Sequence, residues 1–157
     1  MEKRRDANRA MKKVLPWLII LFRLVLGYIF VDAGFDKILH PDTFARAIGN
    51  YHLLPWGLEN AFAIVLPWVE LLLGLGLIIG IYVDGSAVLS GALLLFFIFA
   101  IASAILRGYN IECGCGLREG QMVGMGKIVE DLVLLVMSII ILFRREKRCE
   151  YYPRTKA

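Results

Sequence analysis

Four stretches of this sequence are dominated by Leu, Ile, Val, Phe, Ala and Gly: Val14–Ala33, Ala61–Val83, Ser86–Leu106 and Ile128–Phe143. Runs of this length restrict the fold severely. A buried strand occupies about 4–8 residues, so a β reading fails. A helix needs about 20 apolar residues to cross a hydrocarbon core of about 30 Å, and the first three runs approach or exceed that. The fourth is shorter, but the uncharged Met122–Gly126 extends it outward. The chain is 59% hydrophobic, against about 45–50% for a soluble domain. These runs predict an all-α integral membrane protein, a bundle of four transmembrane helices at approximately 14–35, 61–83, 86–106 and 124–143. A basic segment, 1–13, precedes the membrane domain at 14–143, and a basic tail, 144–157, follows it.

The net charge of +4 invites a nucleic-acid reading, but its distribution opposes one. Lys3, Arg4, Arg5, Arg9, Lys12 and Lys13 lie before the first run, and Arg144, Arg145, Lys147, Arg148, Arg154 and Lys156 follow the last. Basic flanks of this kind mark cytoplasmic ends and favour contact with anionic lipid headgroups. No basic-aromatic motif accompanies them, so no nucleic-acid partner is expected. The first run is too long for a secretory signal, contains Arg23, and has no small-residue cleavage site after it. It reads as a retained helix. Both termini are then cytoplasmic, in a bacterial or archaeal inner membrane, and residues 35–60 and 107–127 face the other side.

The first of these outer segments is not a plain loop. Pro41-Asp42-Thr43 resembles a helix start, and Phe44, Ile48 and Tyr51 share one helical face. With Leu53-Leu54-Pro55-Trp56 following, the pattern predicts a short interfacial helix between helices one and two, anchored by aromatics. On the inner side, Tyr82-Val83-Asp84-Gly85 is the expected turn between helices two and three. Gly27, Gly34, Gly74 and Gly80 offer small surfaces for close helix packing.

Cys113-Gly114-Cys115 lies in the second outer segment. Two thiols separated by one residue close only a small, somewhat strained disulfide ring, and strain makes such a bond easier to reduce. Gly114 permits the backbone angles required. Spacing alone leaves an exchange-active pair and a static structural disulfide both open. His40 and His52 fall on the same side, but their spacing from the cysteines matches no familiar zinc pattern. Cys149, in the opposite tail, is a free thiol or an acylation site rather than a resolving partner.

Charges inside apolar runs are expensive and are expected to pair within the bundle. Arg23 and Glu70, each about mid-depth, are the expected pair. Asp32, Asp36 and Lys37 gather at the outer end of helix one. In helix four, Lys127, Asp131, Leu134 and Ser138 share a face. One reading of these groups is a polar pocket beneath the cysteines for a quinone headgroup, a proton path or an anionic substrate. The other is an ion-pair clasp that fixes helix register.

Three stretches together resemble the DoxX-like membrane family, most closely its MauE branch, named for methylamine utilisation. They are Arg23–Gly27 with Ala33–Lys37, Tyr51–Pro55 with Leu66–Glu70 and Gly74, and Arg107-Gly108 with Cys113–Gly116 and Asp131. The branch typically continues Cys-Gly-Cys with Phe-Gly, whereas Gly116-Leu117 follows here. The resemblance implies a redox-associated inner-membrane protein, linked in the MauE branch to maturation of the disulfide-rich small subunit of methylamine dehydrogenase. Other relatives are linked to thiosulfate:quinone oxidoreduction.

The leading expectation is a thiol–disulfide redox protein, a possible oxidoreductase. Cys113 and Cys115 would exchange with a thioredoxin-like or maturing extracytoplasmic partner, and electrons would pass to a membrane quinone held near Arg23, Asp32, Glu70 and Asp131. The rivals are a non-catalytic anchoring subunit stapled by a structural disulfide and a thiosulfate:quinone oxidoreductase subunit with Arg23 and Lys37 as anion contacts. A transporter fits less well, since four helices show no repeat symmetry.

Overall fold

The computed structural model describes residues 2–51, 57–107 and 125–144, with side chains from Leu15 onward apart from that of Met125. Five helices make up the described chain: α1 (Glu2–Leu39), α2 (Pro41–Asn50), α3 (Leu58–Ile79), α4 (Val83–Leu106) and α5 (Met125–Leu142). Among the described residues, three segments are long and apolar enough to cross a membrane, Leu15–Leu39 of α1, α3 and α4. The 18-residue α5 is apolar beyond its first turns, which carry Lys127, Glu130 and Asp131.

Around the bundle α1 packs on α3, α3 on α4, α4 on α5 and α5 on α1, with the α1–α3 pairing the most extensive. Thus α1 stands diagonally opposite α4, and α3 opposite α5. Leu26, Phe30, Leu73, Leu77, Val83, Ala87, Leu94, Leu134 and Ile141 fill the central core. At one end Tyr51 packs with Ala100, Ile101 and Ala104. Only 33% of each apolar window is buried inside the molecule. The rest, including Trp17, Leu21, Tyr28, Trp68, Leu72 and Phe99, points outward. Apolar faces turned outward along whole helices are solvated by lipid rather than water, which marks a membrane protein.

Three of the expected packing glycines act as predicted. A β-carbon on Gly27 would lie 2.8 Å from the Gly74 carbonyl oxygen, and one on Gly74 would lie 2.6 Å from that of Gly27. One on Gly34 would meet the Pro67 carbonyl at 2.8 Å. The backbones of α1 and α3 therefore touch in a way that no other residue allows. Gly80 has a different role. At φ 89° it adopts the left-handed conformation, and the amides of Gly80 and Ile81 both donate to the Gly76 carbonyl, ending α3. The turn between α3 and α4 is consequently Gly80–Tyr82 and not Tyr82–Gly85, because the helix stops at the glycine before the polar residues are reached. Tyr82 follows at φ 50°, a conformation that costs about 1–2 kcal/mol outside glycine.

Candidate functional site

Gly34 brings α1 so close to α3 that its missing β-carbon would lie 3.3 Å from Glu70 Cβ. Lys37 follows one turn later, and helical side chains lean toward the N-terminus of their own helix, here toward Glu70. Its ammonium donates to both Glu70 oxygens, at 2.6 Å and 2.7 Å. The same nitrogen lies 4.9 Å from the centre of the Phe44 ring on α2 and 5.1 Å from that of Phe97 on α4. Both charges are almost wholly buried, Lys37 being 4% exposed and Glu70 2%. One cation thus ties together α1, α2, α3 and α4 through a charge-assisted bond and two ring faces.

Beside this pair lies a recess of about 30 Å³, lined by Lys37, Glu70, Lys127 and Asp131 among apolar walls that include Phe30 and Phe97. This is room for ordered water. Lys127 and Asp131 enter from α5, one turn apart on its buried face, with Leu134 and Ser138 continuing the expected stripe. Lys127 Nζ sits 3.1 Å from Glu130 Oε1 and 3.6 Å from Asp131 Oδ1. Asp131 is 3% exposed, and its Oδ2 has no hydrogen-bond partner. Tyr51, at the end of α2, is held close enough to feel the Asp131 charge. Burial first, and that carboxylate second, push its hydroxyl up to about 12.

Arg23 does not make the expected pair with Glu70, whose oxygens Lys37 takes. It lies two turns further along the bundle and donates from Nε and one terminal nitrogen to the Leu77 carbonyl, at 3.2 Å and 3.1 Å. The last four carbonyls of a helix lack intrahelical donors and carry the negative end of its dipole. Arg23 therefore caps the end of α3, which gives a buried guanidinium a structural purpose. Asp32 is partly exposed and outside the recess. Of the four residues expected around a quinone, the structure brings together Glu70 and Asp131 alone.

His40 is exposed, with Nδ1 3.4 Å from an Asp36 carboxylate oxygen. No group of three His, Cys, Asp or Glu side chains suited to a metal occurs among the described residues. Cys113, Cys115, His52 and Cys149 lie outside the described residues, as do Leu53–Trp56 and the tail beyond Arg144. At the far end of the bundle Arg144, 8% exposed, reaches Asp84 at 2.8 Å and closes α5 onto the start of α4. The sequence reading missed Lys37 as the partner of Glu70 and missed the two phenylalanines. The available signal was the placement of Gly34 one turn before Lys37.

A family model described as methylamine utilisation protein MauE matches residues 15–144, which takes in every apolar helix. The chain is 34% identical to the MauE protein of Paracoccus denitrificans over 131 residues, covering 82% of this chain and 70% of that one. It is 33% identical to the protein of the same name from Methylophilus methylotrophus over 129 residues, 80% of this chain and 68% of that one. With the Paracoccus versutus MauE protein it shares 34% over 134 residues, 82% and 72% of the two chains. No solved structure matches. A family match across the whole helical region, with these relatives behind it, makes the chain a member of the methylamine utilisation protein MauE family.

Proposed function

We propose that this protein is a membrane thiol–disulfide redox protein whose Cys113 and Cys115 exchange disulfides with an extracytoplasmic partner during maturation of a methylamine-dehydrogenase-like protein. The observation that supports the reading is the Cys113-Gly114-Cys115 spacing in a member of the MauE family, with a buried Lys37–Glu70–Lys127–Asp131 cluster at one end of the bundle. The segment bearing Cys113 and Cys115 is tethered to that same end, between Arg107 at the close of α4 and Met125 at the start of α5. In the oxidative direction the Cys113–Cys115 disulfide is attacked by a partner thiolate. A mixed disulfide forms, and a second partner thiolate resolves it. Two electrons and two protons move from the partner to the cysteine pair.

In this reading α5 is a fourth span, and both termini are cytoplasmic. The inward placement of Lys127 and Asp131 supports the fourth span, since it keeps their charge away from lipid. The basic flanks support an inner-membrane orientation. The buried Phe44 and Ala47 face of α2 suits a helix lying against the bundle at the headgroup level. Kinship of this family with the DoxX-like proteins belongs to the same proposal. A quinone ring is not assigned to the recess, which is water-sized and lacks Arg23 and Asp32.

The test is trapping. Cys113→Ser and Cys115→Ser are expressed separately in native membranes, quenched with acid, alkylated and run on non-reducing gels. A covalent adduct that reductant releases, found with one variant, is the expected result and identifies the partner. Absence of an adduct from both, with wild type fully oxidised and inert to thioredoxin, would overturn the reading in favour of an anchoring subunit with a structural disulfide.

A further inference from the structure

The two buried carboxylates of the recess differ in one respect. Both oxygens of Glu70 are held by Lys37 at hydrogen-bond distance. Asp131 has no such partner: Lys127 stands 3.6 Å from Oδ1, nearer to Glu130, and Oδ2 is bonded to nothing while almost wholly buried. A buried acceptor oxygen left unbonded is destabilising by about 1–3 kcal/mol unless a donor reaches it. Such a group in a bundle core calls for an explanation, as an ordered water, an ion or a functional role.

A clasp that fixed helix register alone would need only the Lys37–Glu70 pair. Asp131 adds a second carboxylate to the same recess, paired with Lys127 only at 3.6 Å through Oδ1 and with nothing on Oδ2, on the helix diagonally opposite Glu70. The groups acting on it are Lys127 and Glu130 on its own helix, Lys37 from α1 and Tyr51 from α2. Glu70 lines the recess from α3, and α4 contributes only Leu94 and Phe97 to its wall. None of these supplies a proton to Oδ2. The space beside it is water-sized.

We propose that this recess is a proton-binding site, with Asp131 Oδ2 as the acceptor and water entering from the α1 C-terminal end of the bundle as the donor. A hydronium ion gives its proton to Oδ2 and leaves as water, and release is the reverse. Lys37, held by Glu70 and two rings, keeps the four-helix junction closed. Lys127 passes between Glu130 and Asp131 as the latter gains or loses charge. The site goes beyond the thiol reading and does not rest on it, although exchange chemistry at the same end would take and release protons.

The experiment is pH-induced infrared difference spectroscopy on the full-length protein in lipid nanodiscs, over the range in which circular dichroism shows the helices intact. Wild type is expected to give a protonated-carboxyl band that grows on acidification and shifts with carboxyl-¹³C aspartate. The band is lost in Asp131→Asn and moved in Asp131→Glu. Its retention in the doubly substituted Cys113→Ser/Cys115→Ser protein separates this site from the thiol chemistry. Absence of any aspartate-dependent band from wild type would overturn the proposal, even where a variant fails to fold. So would its persistence in Asp131→Asn.

Discussion

Replacing Lys37 with methionine removes the cation from Glu70 while keeping most of the side chain's volume. At the observed 2.6 Å, two unit charges attract by about 6 kcal/mol at an effective dielectric of about 20. Removing two ions from water offsets most of that, so the pair as a whole adds little net stability. The single substitution is different, because it strands a carboxylate that is only 2% exposed. Breaking a buried pair from one side costs about 3–5 kcal/mol. Loss of the contacts to Phe44 and Phe97 adds about 0.5–2 kcal/mol each. For a chain of 157 residues, about 2–4 °C per kcal/mol makes the pair-breaking part alone a fall of about 6–20 °C. Thermal unfolding in one detergent, followed by circular dichroism, measures it. Lys37→Met combined with Glu70→Leu removes both charges and returns most of the loss, so the two changes are strongly non-additive. Arg23→Met with Glu70→Leu is additive to within about 0.5 kcal/mol, since Arg23 binds elsewhere. Wild-type stability in Lys37→Met, or rescue of Arg23→Met by Glu70→Leu, would refute this reasoning.

Gly74→Val pushes a side chain into the Gly27 carbonyl and the backbone nitrogen of Val31 and destabilises the protein by about 1–3 kcal/mol, read from the same melts. Gly85→Ala, where a β-carbon meets nothing, is the neutral control. The Tyr51 hydroxyl, raised to about 12 in the folded protein against about 10 unfolded, holds its proton more tightly when folded. Its contribution is complete below about pH 10 and is lost as pH rises toward about 12, so wild type loses stability relative to Tyr51→Phe across that window. In the four-span arrangement, a membrane-impermeant maleimide applied to intact reduced cells labels Cys113 and Cys115 but reaches Cys149 only after permeabilisation. Labelling of Cys149 from outside would reject that topology.

What could be read from the sequence followed from chain-local physics. Length and hydrophobicity gave the apolar helices, and helical period gave the buried Lys127–Asp131–Leu134–Ser138 stripe. Phe44 and the proline at position 41 gave α2. The pairing of Arg23 with Glu70 failed because each residue's depth was judged along its own helix. The antiparallel register is set by Gly27 against Gly74 and Gly34 against Pro67. Continued along α1, that register puts Arg23 level with Ile78 and far from Glu70. Lys37 reaches Glu70 through a long stem that leans back along α1, a direction no composition count contains. The end of α3 was misjudged because Gly80 was read for its size, when its left-handed backbone was what mattered.

The most direct test of the central claim is the reduction potential of the Cys113–Cys115 pair, measured by equilibrating full-length protein in membranes with thiol redox buffers and alkylating the free thiols. Structural disulfides lie below about −300 mV, whereas exchange-active ones are more oxidising. The account predicts a reversible two-electron transition above about −300 mV, unchanged by Cys149→Ser. A pair that remains oxidised below that potential, or that forms no disulfide at any potential, would contradict it.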